Sequence, residues 1–75
     1  MIIKLIEEAR EWLEEAEKLD ENWWALGGEG LGICLSVNLG HEIDRLERYY
    51  GTELLAEEIQ MAKNLRQQVE MILWG

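Results

Sequence analysis

The sequence has no proline, no phenylalanine, one cysteine and one histidine among its 75 residues. A single cysteine excludes a disulfide within the chain, and Cys34 with His41 does not make the Cys/His cluster that a structural zinc requires. Cys34 has no basic neighbour in the sequence that would activate it, and no spacing recommends His41 for a catalytic triad. We therefore predict no catalytic residue, no metal, no cofactor and no enzyme activity.

Basic residues are also scarce, because 7 Lys and Arg stand against 16 Asp and Glu, for a net charge of −9. Nucleic acids and anionic membranes bind proteins through Lys and Arg, so we expect neither as a partner. The longest uncharged segments, 22–28 and 30–40, are too short to span a bilayer. Glu7 and Glu8 interrupt the apolar N-terminus where a signal peptide would have its core. We expect a cytoplasmic protein, with a basic protein as a candidate partner.

Two segments show clear helical patterns. In the first, apolar residues recur at an alternating spacing of three and four residues: Ile2, Leu5, Ala9, Trp12, Ala16, Leu19, Trp23 and Leu26. This spacing predicts a helix over 2–26, although Asp20 could begin a new turn. The second pattern follows Gly51, which suits a helix C-cap, and Thr52, which suits an N-cap. It predicts a helix over 52–74.

The middle of the chain fits two periods. As a helix over 30–50, it would place Leu31, Leu35 and Leu39 on one inward face. As strands, it would form a hairpin around a glycine-rich loop near residues 23–37. We favour the helix, because its apolar face continues without a phase break into the residues that follow. The predicted fold is therefore a single all-α domain, an antiparallel three-helix bundle, with the α-rich fold carrying a short β-hairpin as the alternative.

Four small residues lie one helical turn apart in this middle segment: Gly28, Gly32, Ser36 and Gly40. Such a stripe lets another backbone approach closely. Residues 31–39 are apolar nearly all round, and two other helices are too few to bury such a helix completely. We therefore predict a homo-oligomer whose interface includes the small stripe, two leucines and a tryptophan: Gly28, Gly32, Leu35, Ser36, Leu39, Gly40 and Trp24. Trp24 is either exposed beside the glycine loop or, if the first helix ends before it, part of the core.

The first helix has an acidic face formed by glutamates at spacings of three and four: Glu7, Glu11, Glu14 and Glu15. Like charges at this spacing destabilise a helix by about 0.2–0.5 kcal/mol per pair. A solvated helix face is the simplest interpretation. The functional alternative is a docking face for a basic partner, as in an acidic inhibitor or a mimic of nucleic-acid phosphates.

The leading functional hypothesis is a small acidic helical domain that self-assembles and mediates protein–protein interaction without catalysis. An acidic inhibitor of a basic protein is the first alternative. A ligand or haem carrier is the second, with the glycine stripe leaving room for a flat ring and His41 supplying a ligand.

Overall fold

The computed structural model describes residues 2–50 and 56–75, and 94% of these residues are helical. Three long helices account for most of them: α1 at Ile2–Glu17, α3 at Glu29–Tyr50 and α4 at Ala56–Trp74. A short helix α2, Glu21–Trp23, and a π-helical turn, Trp24–Gly28, connect α1 to α3. The described part of the chain contains no strand, so the all-α prediction is confirmed and the alternative hairpin near residues 23–37 is wrong.

The first helix is shorter than its apolar spacing predicts. It ends at Glu17, and Leu19 adopts a left-handed backbone with φ of 55°. Asp20 then caps the next turn, because its side chain accepts a hydrogen bond from the backbone N–H of Asn22 at 2.9 Å. The prediction of one helix over 2–26 is therefore wrong at its C-terminal end. The polar residues after Leu19 begin a new helical turn that Asp20 caps.

The π-helical turn redirects the chain into α3. Gly27 has a backbone φ of 124° there, a conformation that residues with a Cβ rarely adopt. Beyond it, α3 begins at Glu29, one residue before the predicted start, and continues as α-helix to Tyr50. The predicted start of the third long helix, at residue 52, lies outside the described residues, which resume with α4 at Ala56.

The core consists of two clusters that each combine side chains from all three long helices. The larger one contains nine buried aliphatic residues: Ile2, Ile6, Ala9, Leu39, Ile43, Leu46, Ile59, Ala62 and Leu65. The smaller one contains Trp12, Ala16, Leu35 and Val69. Since burial of apolar area is the main favourable term in folding, these two clusters hold α1, α3 and α4 together.

Candidate functional site

Three tryptophans form an aromatic cluster between α1 and the segment that precedes α3. The ring of Trp12 is tilted at 53° to that of Trp23, with the ring centres 5.8 Å apart. Trp24 packs edge-on against both, with ring centres 5.6 Å from Trp12 and 5.0 Å from Trp23. Trp24 is half-buried in this cluster. Of the two possibilities that the sequence left open for Trp24, exposure beside the glycine loop or packing in the core, the structure favours packing, because α1 ends before Trp24 and the turn brings its ring inward.

The N-terminal part of the small-residue stripe packs against this cluster. Gly28 lies under the ring of Trp23, where an added Cβ would be 2.6 Å from Cε3. Gly32 lies under the ring of Trp12, where an added Cβ would be 2.7 Å from Cε2. Both distances are shorter than ordinary van der Waals contacts, so the two glycines provide the space that the indole rings occupy.

The C-terminal part of the stripe contacts α4. The Ser36 hydroxyl donates a hydrogen bond to the Glu70 carboxylate at 2.9 Å. Arg66 donates from Nε to the Ser36 carbonyl at 3.1 Å and pairs with Glu70 at the same distance. An added Cβ at Gly40 would lie 2.9 Å from the guanidinium carbon of Arg66. The close approach that the stripe allows is therefore made by side chains of the same chain.

These contacts decide which predicted interface residues are open to a partner. Five of them are buried within the chain: Gly28, Gly32, Leu35, Ser36 and Leu39. Gly40 and Trp24 are half-buried. The small-residue stripe is thus covered by side chains of the same chain. Any surface for a second copy has to lie on another side of α3.

The outer side of α3 is exposed and uncharged over part of its length. Gly30, Ile33, Cys34 and Val37 are exposed and lie at spacings of three and four residues, and we call these four residues the α3 apolar face. Val37 is 48% exposed. The sequence already indicated an exposed apolar surface here. When two neighbouring helices cover one side of a helix that is apolar all round, its other side remains exposed.

A groove of about 360 Å³ lies between α1 and α3. Its walls combine apolar and acidic side chains: Glu8, Glu11, Trp12, Glu15, Trp23, Leu31 and Leu35. Leu31 is 53% exposed, Trp23 is half-buried, and Leu35 and Trp12 are buried beneath them. We call this the Trp23 groove. It joins an aromatic and aliphatic surface to three carboxylates.

The predicted acidic face is divided by this geometry. Glu11 and Glu15 line the Trp23 groove, whereas Glu7 and Glu14 are exposed on α1 without lining it. Glu8 lines the groove but was not predicted, because only the position of α3 reveals which side of α1 the groove occupies. Glu15 pairs with Lys18 at 2.9 Å, and this hydrogen bond raises the pKa of the Lys18 ammonium.

The remaining side chains that could react or bind a metal form no cluster in the described part of the chain. His41 and Cys34 are exposed on α3, and the described residues include no group of three His, Cys, Asp or Glu side chains that could hold a metal ion. The space beside Gly40, where the carrier hypothesis needed room for a flat ring, is occupied by Arg66. Within residues 2–50 and 56–75, no helix is both long enough and apolar enough to cross a membrane.

Comparison with known proteins finds no matching family model, no matching curated protein and no matching solved structure.

Proposed function

We propose that this protein is a non-enzymatic protein–protein interaction domain that self-associates through the α3 apolar face, defined above as Gly30, Ile33, Cys34 and Val37. The observation that carries the proposal is this uncharged, exposed surface on a helix whose opposite side already forms the core. Patches of exposed apolar side chains on a small protein mark interaction surfaces. The three long helices would act as one antiparallel bundle that presents this face.

Charge favours this face as the contact between two copies. Each copy has a net charge of −9, so most approaches between them are repulsive. The segment 30–40 contains no charged residue, and two copies that meet there keep their carboxylates apart. Gly30 and Cys34 are small, which allows the helix of a second copy to approach closely.

Size gives a second reason. A domain of 75 residues buries a smaller share of its unfolded surface than a larger domain does, and it usually draws stability from another source. The chain has one cysteine and no internal disulfide. Association would add buried apolar area to α3, in a cytoplasmic setting where Cys34 stays reduced.

Light scattering over a range of protein concentrations tests the proposal. The parent should form a dimer or a higher oligomer, and Val37→Glu should shift it to monomer because a buried carboxylate opposes the contact. Ile3→Glu is the matched control, since Ile3 is a β-branched residue of similar exposure on α1. That variant should assemble like the parent. A parent that stays monomeric up to its solubility limit, or two variants that assemble equally well, would refute the proposal.

A further inference from the structure

Two acidic side chains of the Trp23 groove have no partner among the described side chains. Among the described residues, five cations are in ion pairs: Lys18, Arg45, Arg48, Lys63 and Arg66. Of the groove carboxylates, only Glu15 belongs to one of these pairs, whereas Glu8 and Glu11 have no ion pair or hydrogen bond to a described side chain. Two carboxylates on consecutive turns of one helix wall also repel each other. A cation in the groove would relieve that repulsion.

The opposite side of the groove suits the apolar part of a long cationic side chain. Leu31 and Trp23 are both accessible there, and tryptophan is the aromatic residue that attracts a cation most strongly over its ring face. The indole N–H of Trp12 already donates to the Gly28 carbonyl, so the groove offers that ring as apolar surface and not as a donor. The side-chain hydrogen-bond acceptors in the groove walls are the carboxylates.

We propose that the Trp23 groove binds an arginine side chain from a basic, amphipathic segment of another protein. A guanidinium group stacks on an aromatic ring while its N–H groups reach a carboxylate in a bidentate fork, and an ammonium group does neither as well. The aliphatic stem of the arginine would lie along Leu31. Apolar residues on either side of that arginine would extend the contact over the groove.

A basic partner is the occupant that charge selects. A second copy of this chain carries a net charge of −9, and five of its seven cationic side chains are in ion pairs. It is therefore a poor source of a free arginine. Nucleic acid brings phosphates to a carboxylate-lined groove and is repelled. This inference goes beyond self-association, because the groove lies between α1 and α3 and contains none of the four residues that define the α3 apolar face.

A peptide titration tests the inference. The probe is a synthetic amphipathic helix of arginine and leucine without tryptophan, and the readout is the fluorescence of the chain's own tryptophans. The reference peptide has glutamine in place of every arginine. The arginine peptide should bind the parent and change its fluorescence, with binding weakened at high salt. The glutamine peptide should bind more weakly, by up to about fivefold for each ion pair that it cannot form.

Two charge-matched double variants locate the site. Glu8→Gln with Glu11→Gln removes carboxylates from the groove, whereas Glu7→Gln with Glu14→Gln removes two from elsewhere on α1. Both pairs of changes lower the net negative charge by the same amount. The groove variant should lose about fivefold to tenfold in affinity, and the control should stay within about twofold of the parent.

Equal losses in the two double variants would show that the peptide binds acidic surface in general, and this would overturn the inference. No saturable binding of the arginine peptide by the parent would also overturn it. Neither result bears on self-association, which light scattering of Val37→Glu measures separately.

Discussion

The indole Nε1 of Trp12 donates a hydrogen bond to the backbone carbonyl of Gly28 across 2.7 Å, in a buried position. This bond joins the middle of α1 to the last residue of the π-helical turn. The same ring fills the space above Gly32 and lies in the smaller core cluster. Trp12 therefore determines how the connection between α1 and α3 packs, and it forms the base of the Trp23 groove.

Trp12→Phe removes this hydrogen bond and part of the ring. A hydrogen bond within a protein contributes about 0.5–1.5 kcal/mol net, and the smaller ring adds a packing loss. We expect the free energy of unfolding to fall by about 2–4 kcal/mol in urea denaturation, a large share of the ~5–15 kcal/mol that is usual for a domain. Trp24→Phe is the control, because the ring nitrogen of Trp24 makes no hydrogen bond to a described residue. Equal losses in both variants would contradict the role assigned to the Trp12 bond.

Two nearby glycines of α3 should respond to alanine with opposite signs. An added Cβ at Gly30 meets nothing within 4 Å, and the helix there has ordinary dihedral angles. Gly30→Ala should therefore stabilise the chain by about 0.5–1 kcal/mol through helix propensity. Gly32→Ala should destabilise it by about 1–3 kcal/mol, because the new methyl group overlaps the buried ring of Trp12. Thermal melting at low protein concentration checks this: the melting temperature should rise for Gly30→Ala and fall for Gly32→Ala.

The alternative outcome for these glycines is informative. If Gly32→Ala melts at or above the parent temperature, the ring of Trp12 moves easily and the packing described at the stripe is wrong. Gly40→Ala should fall between the two, since the atom nearest its added Cβ belongs to the half-buried Arg66 side chain, which is flexible enough to shift.

The periodic spacing predicted the buried face of α1 correctly as far as Ala16. Ile2, Ala9 and Trp12 are buried as expected. The spacing continued through Leu26, yet Leu26 is 88% exposed. Spacing alone could not reveal the end of α1, because that end depends on the cap at Asp20 and on the contact between Trp12 and the π-helical turn.

The stripe and the groove show a second limit of sequence reasoning. Small residues at Gly32 and Gly40 indicate a close approach, but the spacing does not tell whether the neighbour is the same chain or another. The structure places Trp12 and Arg66 there. The Trp23 groove likewise needs Leu31 of α3 beside the glutamates of α1, a pairing that arises from tertiary packing.

Leu19 offers a position where a substitution should stabilise the chain. Its φ of 55° is the left-handed conformation that costs a residue with a Cβ about 1–2 kcal/mol, and its side chain is 80% exposed. Leu19→Gly should raise the free energy of unfolding by about 0.5–1 kcal/mol, since glycine adopts this conformation freely. Leu19→Ala is the matched control, because it also removes the exposed side chain but keeps the Cβ. A gain in the alanine variant as large as that in the glycine variant would show that backbone strain is not the cause.

Glu42 should make part of the stability depend on pH. Arg45 donates hydrogen bonds to the Glu42 carboxylate, with Nε at 3.3 Å, and this lowers the pKa of Glu42 below its ordinary value of 4.5. The unfolded chain then binds a proton at Glu42 more readily than the folded chain does. The resulting stabilisation is therefore fully present above pH 4.5 and is lost as the pH falls through the lowered pKa.

Glu42→Gln should remove this pH-dependent term. Acid also relieves the general repulsion among the carboxylates, so the quantity to compare is the difference in unfolding free energy between parent and variant. We expect that difference to favour the parent near neutral pH and to shrink as the pH falls below 4.5 and through the lowered pKa of Glu42, as urea denaturation at several pH values would show. Glu7→Gln is the control, because Glu7 is exposed on α1 and has no ion pair to a described residue. A difference for Glu42→Gln that stays constant with pH, or one that Glu7→Gln reproduces, would show that the bond from Arg45 does not stabilise the fold.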